Sequence, residues 1–413
     1  MTSDRKVYVG LATEPHQVVT PVCLLKLVRR GVVESGEYAY GKQYLASPAA
    51  IPLNNEHMPL SNSAMALPER RLRDGGALPL TFRDALPDSW GRRVLEAQYG
   101  RTLDDIDALL MTNADRVGAM VFSESLPIEV DQAETNLLEL EEMSDAIKML
   151  ELAMDIPPEM RRLLQRGGTL GGARPKATFI HENRRWIAKF PALADDHDVE
   201  LLEICLLKLA ALCGIEVSPS RLESIQSGHV ILVSRFDRVG NIDNERRIHY
   251  LSASALLNVS YESNGGSYVE FAQVIRKISS NPTHDLDQLY RRLVFNLIVD
   301  NTDDHVKNHG MLHVGDGQYR LAPAFDIVMQ LQNLGYQELA IFAGNNVSSL
   351  RLATEAAPYF GFKKEDAENI IHSIQEIALR ELIAIAEHFG ASTPLKERIK
   401  RCLNRQRELI NNQ

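Results

Sequence analysis

Residues 301–308 read NTDDHVKN and directly follow the apolar segment 286–300, LDQLYRRLVFNLIVD. The apolar residues of that segment recur at helical spacing, which predicts a helix from about Leu286 to Val299. Its predicted buried stripe consists of Leu286, Leu289, Tyr290, Leu293, Leu297 and Ile298. A buried helix that ends in a loop of acidic, amide and basic groups is typical of a scaffold that holds functional side chains at the mouth of a cleft.

The composition is that of an ordinary globular protein. The 413 residues suggest two or three domains, with 45% hydrophobic and 24% charged residues. A net charge of −10 argues against unaided binding to the DNA backbone. The four cysteines show no metal-binding spacing and are predicted to be buried thiols; they are Cys23, Cys205, Cys213 and Cys402. We see no signal peptide and no membrane-spanning run, so we expect a cytoplasmic protein.

The order of predicted elements indicates an α+β protein in three parts. Residues 1–130 open with β-rich stretches (KVYVGLA, GEYAYGKQYL) and continue with two helical patterns from Thr81, the second capped by Thr102. Residues 131–245 contain a glycine-rich loop at 167–172 and two strands joined by the turn HENR. Residues 246–413 are predicted to be mostly helical.

Two further local patterns matter for the site. The segment DVELLEICLLKLAALCG, residues 198–214, predicts a helix that ends at Gly214. The pair Asp316-Gly317 predicts a two-residue hairpin turn between Met311 and Phe325.

The spacing of polar residues indicates phosphoryl transfer. Such chemistry needs a carboxylate near the acceptor hydroxyl, oxygen ligands for Mg²⁺ and a lysine on the phosphates. Asp303 precedes Asn308 by five positions, as in protein kinases, and Asp326 follows on the next hairpin.

The lysine and its partner are predicted to be Lys189, at the end of a strand, and Glu203, on the following helix. Each part also has an ordinary structural interpretation. Asp326 could cap a helix, Lys189 and Glu203 could be solvated charges, and His305 could be a hydrogen-bonded loop residue. The linear order of all the parts together favours the kinase interpretation.

The motifs of the chain also resemble the HipA family, the serine/threonine kinase toxins of bacterial type II toxin–antitoxin pairs. The resemblance extends over nearly the whole chain. Its most specific motifs are GGARPKA, WIAKFP, LLEICLLKLAALCGI, VSRFDR, YESNGG, NTDDHVKN and YRLAPAFDIV. It implies a protein-kinase-like two-lobed fold with an added β-rich N-terminal subdomain and a mostly helical C-terminal lobe.

The resemblance also implies roles for single residues. Asp303 matches the catalytic aspartate, and Asn308 and Asp326 match the Mg²⁺ ligands. The residues expected around ATP are Lys189, the hinge residues Ser234, Arg235 and Phe236, the loop residues Thr169, Gly171, Gly172 and Lys176, and His305 and Lys307. Thr169 stands where the family has an autophosphorylated serine, and Ser234 stands where an acidic residue is common.

Partners are implied in the same way. The family's toxins are neutralised by a small helix-turn-helix antitoxin, HipB-like here, in a two-toxin, two-antitoxin complex. DNA would be contacted only through that antitoxin. The protein substrate would be an aminoacyl-tRNA synthetase. Two alternatives stay open from the sequence: a small-molecule kinase, and a catalytically silent corepressor subunit of an antitoxin–DNA complex.

Overall fold

The computed structural model describes residues 2–15, 18–112, 115–130, 140–154, 156–157, 164, 174–263 and 265–412. The strands are β1 (Thr2–Leu11), β2 (Val18–Val19), β3 (Pro21–Arg30), β4 (Val33–Tyr40), β5 (Met65–Arg71), β6 (Met120–Ser123), β7 (Ile128–Glu129), β8 (Lys176–His181), β9 (Arg184–Lys189), β10 (Ser220–Ile225), β11 (Gly228–Ser234), β12 (Arg238–Val239), β13 (Arg246–Arg247), β14 (Tyr250–Ser252), β15 (Gly310–Gly315) and β16 (Gln318–Leu321).

The helices of the described residues follow in the same chain order. They are α1 (Lys42–Leu45), α2 (Leu80–Arg83), α3 (Ser89–Tyr99), α4 (Asp105–Met111), α5 (Leu140–Glu151), α6 (Val199–Leu212), α7 (Ala253–Leu257), α8 (Tyr268–Ile278), α9 (Pro282–Ile298), α10 (Leu350–Ala356), α11 (Lys364–His388) and α12 (Thr393–Asn412). The predicted mixture of helix and sheet is therefore confirmed.

The chain divides into two compact units, each made of several segments. The first consists of Met1–Trp186, Asp237–Leu251 and Leu312–Gly317, and the second of Ile187–Phe236, Ser252–Met311 and Gln318–Gln413. The predicted boundaries near residues 130 and 245 stay predictions.

The first unit is built on a five-stranded sheet of order β5-β4-β3-β1-β6. Alternate residues of its strands face one core, which includes Val7, Val9 and Leu25. Phe82 of α2 and Leu109 of α4 complete that core. Both are inaccessible to solvent, so this unit has a hydrophobic core of its own.

Three local predictions for the first unit are wrong. The predicted strand-like end of GEYAYGKQYL forms the short helix α1. The first helical pattern is divided into α2 and α3 by the segment that contains Pro87, whose ring is incompatible with a helix interior. The cap of α4 is Asp104, whose side chain accepts from the Asp107 amide, and not Thr102.

The second unit is mostly helical, and α9 packs against α8, α10, α11 and α12. The predicted buried stripe of α9 is confirmed, since all six residues are at most 5% exposed. Helix α9 begins at Pro282, and the preceding residue, Asn281, caps it. The helix predicted for 198–214 is α6, which is capped by Asp198, and Gly214 follows it with a φ of +76°.

Other sequence-based predictions are also confirmed. Asp316 and Gly317 have φ values of +50° and +70°, as the two-residue turn between β15 and β16 requires. All four cysteines are free and buried. Within the described ranges, no helix combines the length and the apolar character needed to cross a lipid bilayer.

Candidate active site

The loop after α9 is fixed by its backbone within the second unit. Four amides outside the loop donate to its carbonyl oxygens: Glu338 to Thr302 (3.0 Å), Leu339 to Asp304 (2.7 Å), Ser254 to Val306 (3.2 Å) and Ala253 to His309 (2.8 Å). These bonds come from α7 on one side and from the segment 338–339 on the other. The loop is therefore held in one conformation, as positioning-based catalysis requires.

The five-residue spacing brings Asp303 and Asn308 together. The side-chain Nδ2 of Asn308 donates to the Asp303 carbonyl oxygen at 3.3 Å. The backbone N–H of Asn308 donates to the His305 carbonyl oxygen at 2.9 Å. Asn308 is 7% exposed, whereas Asp303 is exposed. Asp303 is thus available to a substrate, while Asn308 supports the loop from within.

The Asp303 carboxyl group is in an unfavourable place for a negative charge. Although the residue is accessible to solvent, partial desolvation of its carboxyl group raises the pKa to about 6. The charges of Glu338, Asp326 and Asp304 also raise this pKa, and His305 lowers it. A pKa near 6 leaves the group mostly ionised at neutral pH yet more basic than an ordinary aspartate. That is the property of a general base.

Lys189 connects three segments of the second unit. Its Nζ lies 2.6 Å from Glu203 Oε1 on α6 and 2.7 Å from Asp326 Oδ1 after β16. Lys189 and Glu203 are 7% and 3% exposed. Burial alone would lower the pKa of Lys189, but Asp326 and Glu203 together raise it, so the ammonium stays charged. The predicted lysine–glutamate pair is present in the structure.

The hinge candidates lie at the end of β11. The Ser234 amide donates to the Pro219 carbonyl at 2.8 Å. The Arg235 side chain is buried, and the ring of Phe236 lies 5.3 Å from that of Phe325, the residue before Asp326. The hinge segment therefore contacts the segment that carries Asp326. Contact with adenine remains a prediction.

Asp304 has the opposite environment to its neighbour Asp303. It is 2% exposed, accepts a short hydrogen bond from the Tyr268 hydroxyl, and has its Oδ1 2.9 Å from His309 Nε2. Asn296 of α9 donates to the Tyr268 hydroxyl at 3.0 Å. Burial alone would raise the pKa of Asp304, but His309 and Tyr268 together lower it. Asp304 is therefore a buried carboxylate that ties the loop to α8 and α9.

A small cavity of about 10 Å³ lies under the loop, beside this network. Its lining includes Arg292, Asn296, Asn301, Asp304 and Asn308. Within the part of the chain that the structure describes, Nε and Nη1 of Arg292 and Oδ1 of Asn301 have no hydrogen-bond partner. A cavity of this size has room for about one water molecule, which would satisfy such atoms.

The predicted Mg²⁺ ligands have suitable chemistry. Asn308 and Asp326 offer amide and carboxylate oxygens, which Mg²⁺ prefers, and it commonly binds one or two carboxylates together with substrate phosphates. Glu338, Asp326 and Asp304 all raise the pKa of Asp303, so negative charge is in excess here. Among the described residues, no group of three or more His, Cys, Asp or Glu side chains forms a protein-only metal site.

Four further candidates come from the segment 169–176, of which the structure describes only residues 174–176. Thr169, Gly171 and Gly172 lie outside the described residues. Lys176 is a buried residue of the first unit, and its role with nucleotide stays a prediction.

His305 and Lys307 share one neighbour on the outer side of the loop. The His305 ring lies 5.7 Å from that of Tyr261, and Lys307 Nζ lies 4.9 Å from the centre of the same ring. A cation over an aromatic face is weakly attractive, so this arrangement orders the two side chains beside Asp303.

Sequence reasoning missed Asp304, Tyr268 and Glu338. Tyr268 and Asp304 are 36 residues apart, and no local pattern indicates their hydrogen bond. The adjacent acids Asp303 and Asp304 were a signal in the sequence, because two neighbouring carboxyl groups repel each other when both are ionised.

Comparisons with known proteins agree on one family. A model of the HipA-like C-terminal domain matches residues 168–381, and one of the HipA N-terminal domain matches residues 26–123. Among solved structures, a chain of the HipA, HipB and operator DNA complex from Shewanella oneidensis MR-1 has a TM-score of 0.66. The match covers 98% of this chain and 96% of that one at 14% identity, which shows a shared fold.

Two curated proteins of Sinorhizobium fredii are also similar. The one named "Putative kinase Y4mE" is 30% identical over 160 residues, which is 37% of this chain and 36% of that protein. The one named "Putative kinase Y4dM" is 20% identical over 229 residues, or 52% and 54% of the two chains. The matched segments thus span about a third and about a half of these relatives.

We expect Asp303→Asn to increase the free energy of unfolding at pH 7.5. With a folded pKa of about 6 and an unfolded pKa of about 3.9, the carboxyl binds its proton more tightly in the folded state. Its contribution to stability therefore declines as the pH rises from about 4 through about 6, and the neutral amide escapes that loss. Urea unfolding at pH 4 and pH 7.5 measures the difference.

The control is Asp4→Asn at an exposed position of β1. The electrostatic explanation would be contradicted if Asp303→Asn increased the free energy of unfolding equally at the two pH values. It would also be contradicted if the control variant showed the same increase.

We expect Tyr268→Phe to destabilise the protein by about 1–3 kcal/mol, the usual cost of leaving a buried polar group unsatisfied. The ring is kept, but Asp304 loses a donor and Asn296 loses an acceptor. Tyr359→Phe, at a residue that is 45% exposed, is the matched control. Equal unfolding free energies for the two variants would show that the hydroxyl contributes nothing.

Proposed function

The chain belongs to the HipA family, and from this premise we propose that it is an ATP- and Mg²⁺-dependent protein kinase that modifies serine or threonine. The observation that carries the proposal is the Lys189 ammonium held between Glu203 and Asp326, with Asp326 close enough to Asp303 to raise its pKa. The second unit thus contains, close together, four side chains of the types that phosphoryl transfer uses: Lys189, Glu203, Asp326 and Asp303.

We infer the following roles, which the geometry supports. Asp303 is exposed and its pKa is about 6, so its carboxylate accepts the proton of the acceptor hydroxyl. The new bond joins that hydroxyl oxygen to the γ-phosphorus of ATP, and the bond to the β-phosphate oxygen breaks, which releases ADP. Lys189 binds the phosphates, with its position fixed by Glu203.

Asn308 and Asp326 would hold Mg²⁺, which supplies positive charge to the phosphate oxygens as they react. Asp326 is already placed by Lys189, at 2.7 Å. Asn308 is placed by its bond to the Asp303 carbonyl. The two side chains are therefore oriented by protein contacts before any nucleotide binds, which reduces the entropic cost of the reaction.

The finer assignments rest on family membership. We propose that Thr169 is an autophosphorylation site, that the substrate is an aminoacyl-tRNA synthetase, and that a HipB-like helix-turn-helix antitoxin neutralises the protein in a two-toxin, two-antitoxin complex. A net charge of −10 is consistent with DNA contact through the antitoxin. A phosphate on Thr169 would add about two negative charges to the loop expected to cover ATP.

We expect the purified protein to transfer label from γ-labelled ATP, with Thr169 among the modified residues. Asp303→Asn should lower the rate at least about 100-fold, because loss of a general base has that effect, while binding of Mg²⁺ and ATP is retained. Mass spectrometry locates the label, and calorimetry measures the binding.

Asp4→Asn is again the control and should label at the wild-type rate. Equal labelling of Asp303→Asn and the wild type would refute the assignment of the base. Transfer to small molecules without any protein acceptor would favour the small-molecule kinase, and binding without transfer would favour the silent corepressor.

We expect expression of the wild-type chain alone to arrest bacterial growth, and Asp326→Asn at equal abundance to permit it. The reason is that the substitution removes a predicted Mg²⁺ ligand and a partner of Lys189. Colony counts after induction, with immunoblots for abundance, provide the measurement. Equal growth of both strains would reject the toxin assignment and leave the kinase chemistry untouched.

A further inference from the structure

The last helix, α12, has one polar residue in an otherwise apolar buried face. The buried residues of this helix are Leu395, Ile399, Cys402, Leu403, Gln406 and Ile410. Gln406 is inaccessible to solvent. A buried amide is costly unless both of its polar atoms are hydrogen-bonded. The partners of Gln406 therefore indicate why a glutamine stands there.

Both ends of the Gln406 amide are bonded to segments next to the candidate site. Nε2 donates to the Leu297 carbonyl at 2.7 Å, and Oε1 accepts from Asn333 Nδ2 at 2.9 Å. Leu297 lies in the last turn of α9, where carbonyl groups lack helical partners. Gln406 thus caps the helix that leads into the loop of Asp303 and also holds Asn333.

A second set of bonds joins the same segments through Asp300. Its Oδ2 accepts from the amides of Gln332 and Asn333, both at 2.9 Å, and lies 3.4 Å from Cys402 Sγ. Asp300 and Asn333 have φ values of +55° and +54°, a left-handed conformation that is uncommon outside glycine. Such conformations persist where the surroundings hold them, which these hydrogen bonds do.

These contacts connect the two segments that carry the predicted Mg²⁺ ligands. Asp300 precedes Asp303 by three residues, and Asn333 follows Asp326 by seven. We propose that Gln406 is a positioning residue which, through Leu297 and Asn333, keeps the segment of Asp303 and Asn308 in register with the segment of Asp326. The family match ends at residue 381, so α12 lies outside it.

The proposal rests on the proposed kinase function for its catalytic consequence but not for its structural one. A purely structural glutamine would affect only global stability. A positioning glutamine also affects the local opening of residues 299–309 and 330–334, and the Mg²⁺ concentration needed for activity. These two readouts separate the alternatives.

The test compares Gln406→Met with Asn404→Met. Methionine keeps the shape of Gln406 but has no amide, and Asn404 is an exposed residue of the same helix. Hydrogen–deuterium exchange of the ligand-free proteins should be roughly ten-fold faster in residues 330–334 of Gln406→Met, because the bonds of Asn333 loosen. The Mg²⁺ concentration for half-maximal transfer should rise roughly ten-fold. Asn404→Met should match the wild type in both.

Asn333→Gly removes the same hydrogen bond from its other partner. Glycine tolerates the φ of +54° but removes the side-chain amide, which donates to Gln406 Oε1 and, at 3.1 Å, to the Cys402 carbonyl oxygen. It should reproduce the exchange pattern, and its effect should be smaller in the Gln406→Met background than in the wild type, because the bond to Gln406 is then already absent. A lower melting temperature for Gln406→Met with unchanged local exchange and unchanged Mg²⁺ dependence would overturn the proposal. Absence of transfer in the wild type would refute the kinase function, and the exchange data would still decide the role of Gln406.

Discussion

The ion pair of Lys189 is the interaction on which the rest of the candidate site depends. One buried ammonium bonds Glu203 of α6 and Asp326 after β16, so it fixes a strand end, a helix and a loop at one point. Burying charge has a large desolvation cost, and replacing a buried ion pair by well-packed apolar residues is often neutral or stabilising. Removing one partner, however, leaves an uncompensated charge and costs about 3–5 kcal/mol. The pair is therefore better understood as a device that orients Asp326 than as a source of stability.

Two adjacent aspartates in one short loop have pKa values shifted in opposite directions by their surroundings. Asp303 is accessible to solvent, but the surrounding protein partly desolvates its carboxyl group and raises its pKa to about 6. Asp304 is buried, and the donors His309 and Tyr268 lower its pKa. Environments that push neighbouring carboxyl groups in opposite directions are typical of sites in which one group moves a proton and the other stays charged.

Local sequence patterns predicted the elements that carry the site but not the contacts that fix it. The periodicity of α9 and the spacing of Asp303 and Asn308 are short-range features, and both correspond to the structure. The bonds of Asp304 to Tyr268 and of Gln406 to Leu297 span 36 and 109 residues, so no local window contains both partners. The cap of α4 was missed for a different reason, because several residues near Thr102 can each cap a helix.

The acids around Asp303 also make its ionisation sensitive to any cation bound nearby. Asp326 and Glu338 raise the pKa of Asp303, while Lys189 already compensates part of the charge of Asp326. Any further positive charge held by Asp326 and Asn308 would oppose the effect of these acids and lower the pKa of Asp303. If Mg²⁺ binds there as proposed, Asp303 would be ionised over a wider pH range with the metal than without it, and the negative phosphates of ATP would oppose that effect.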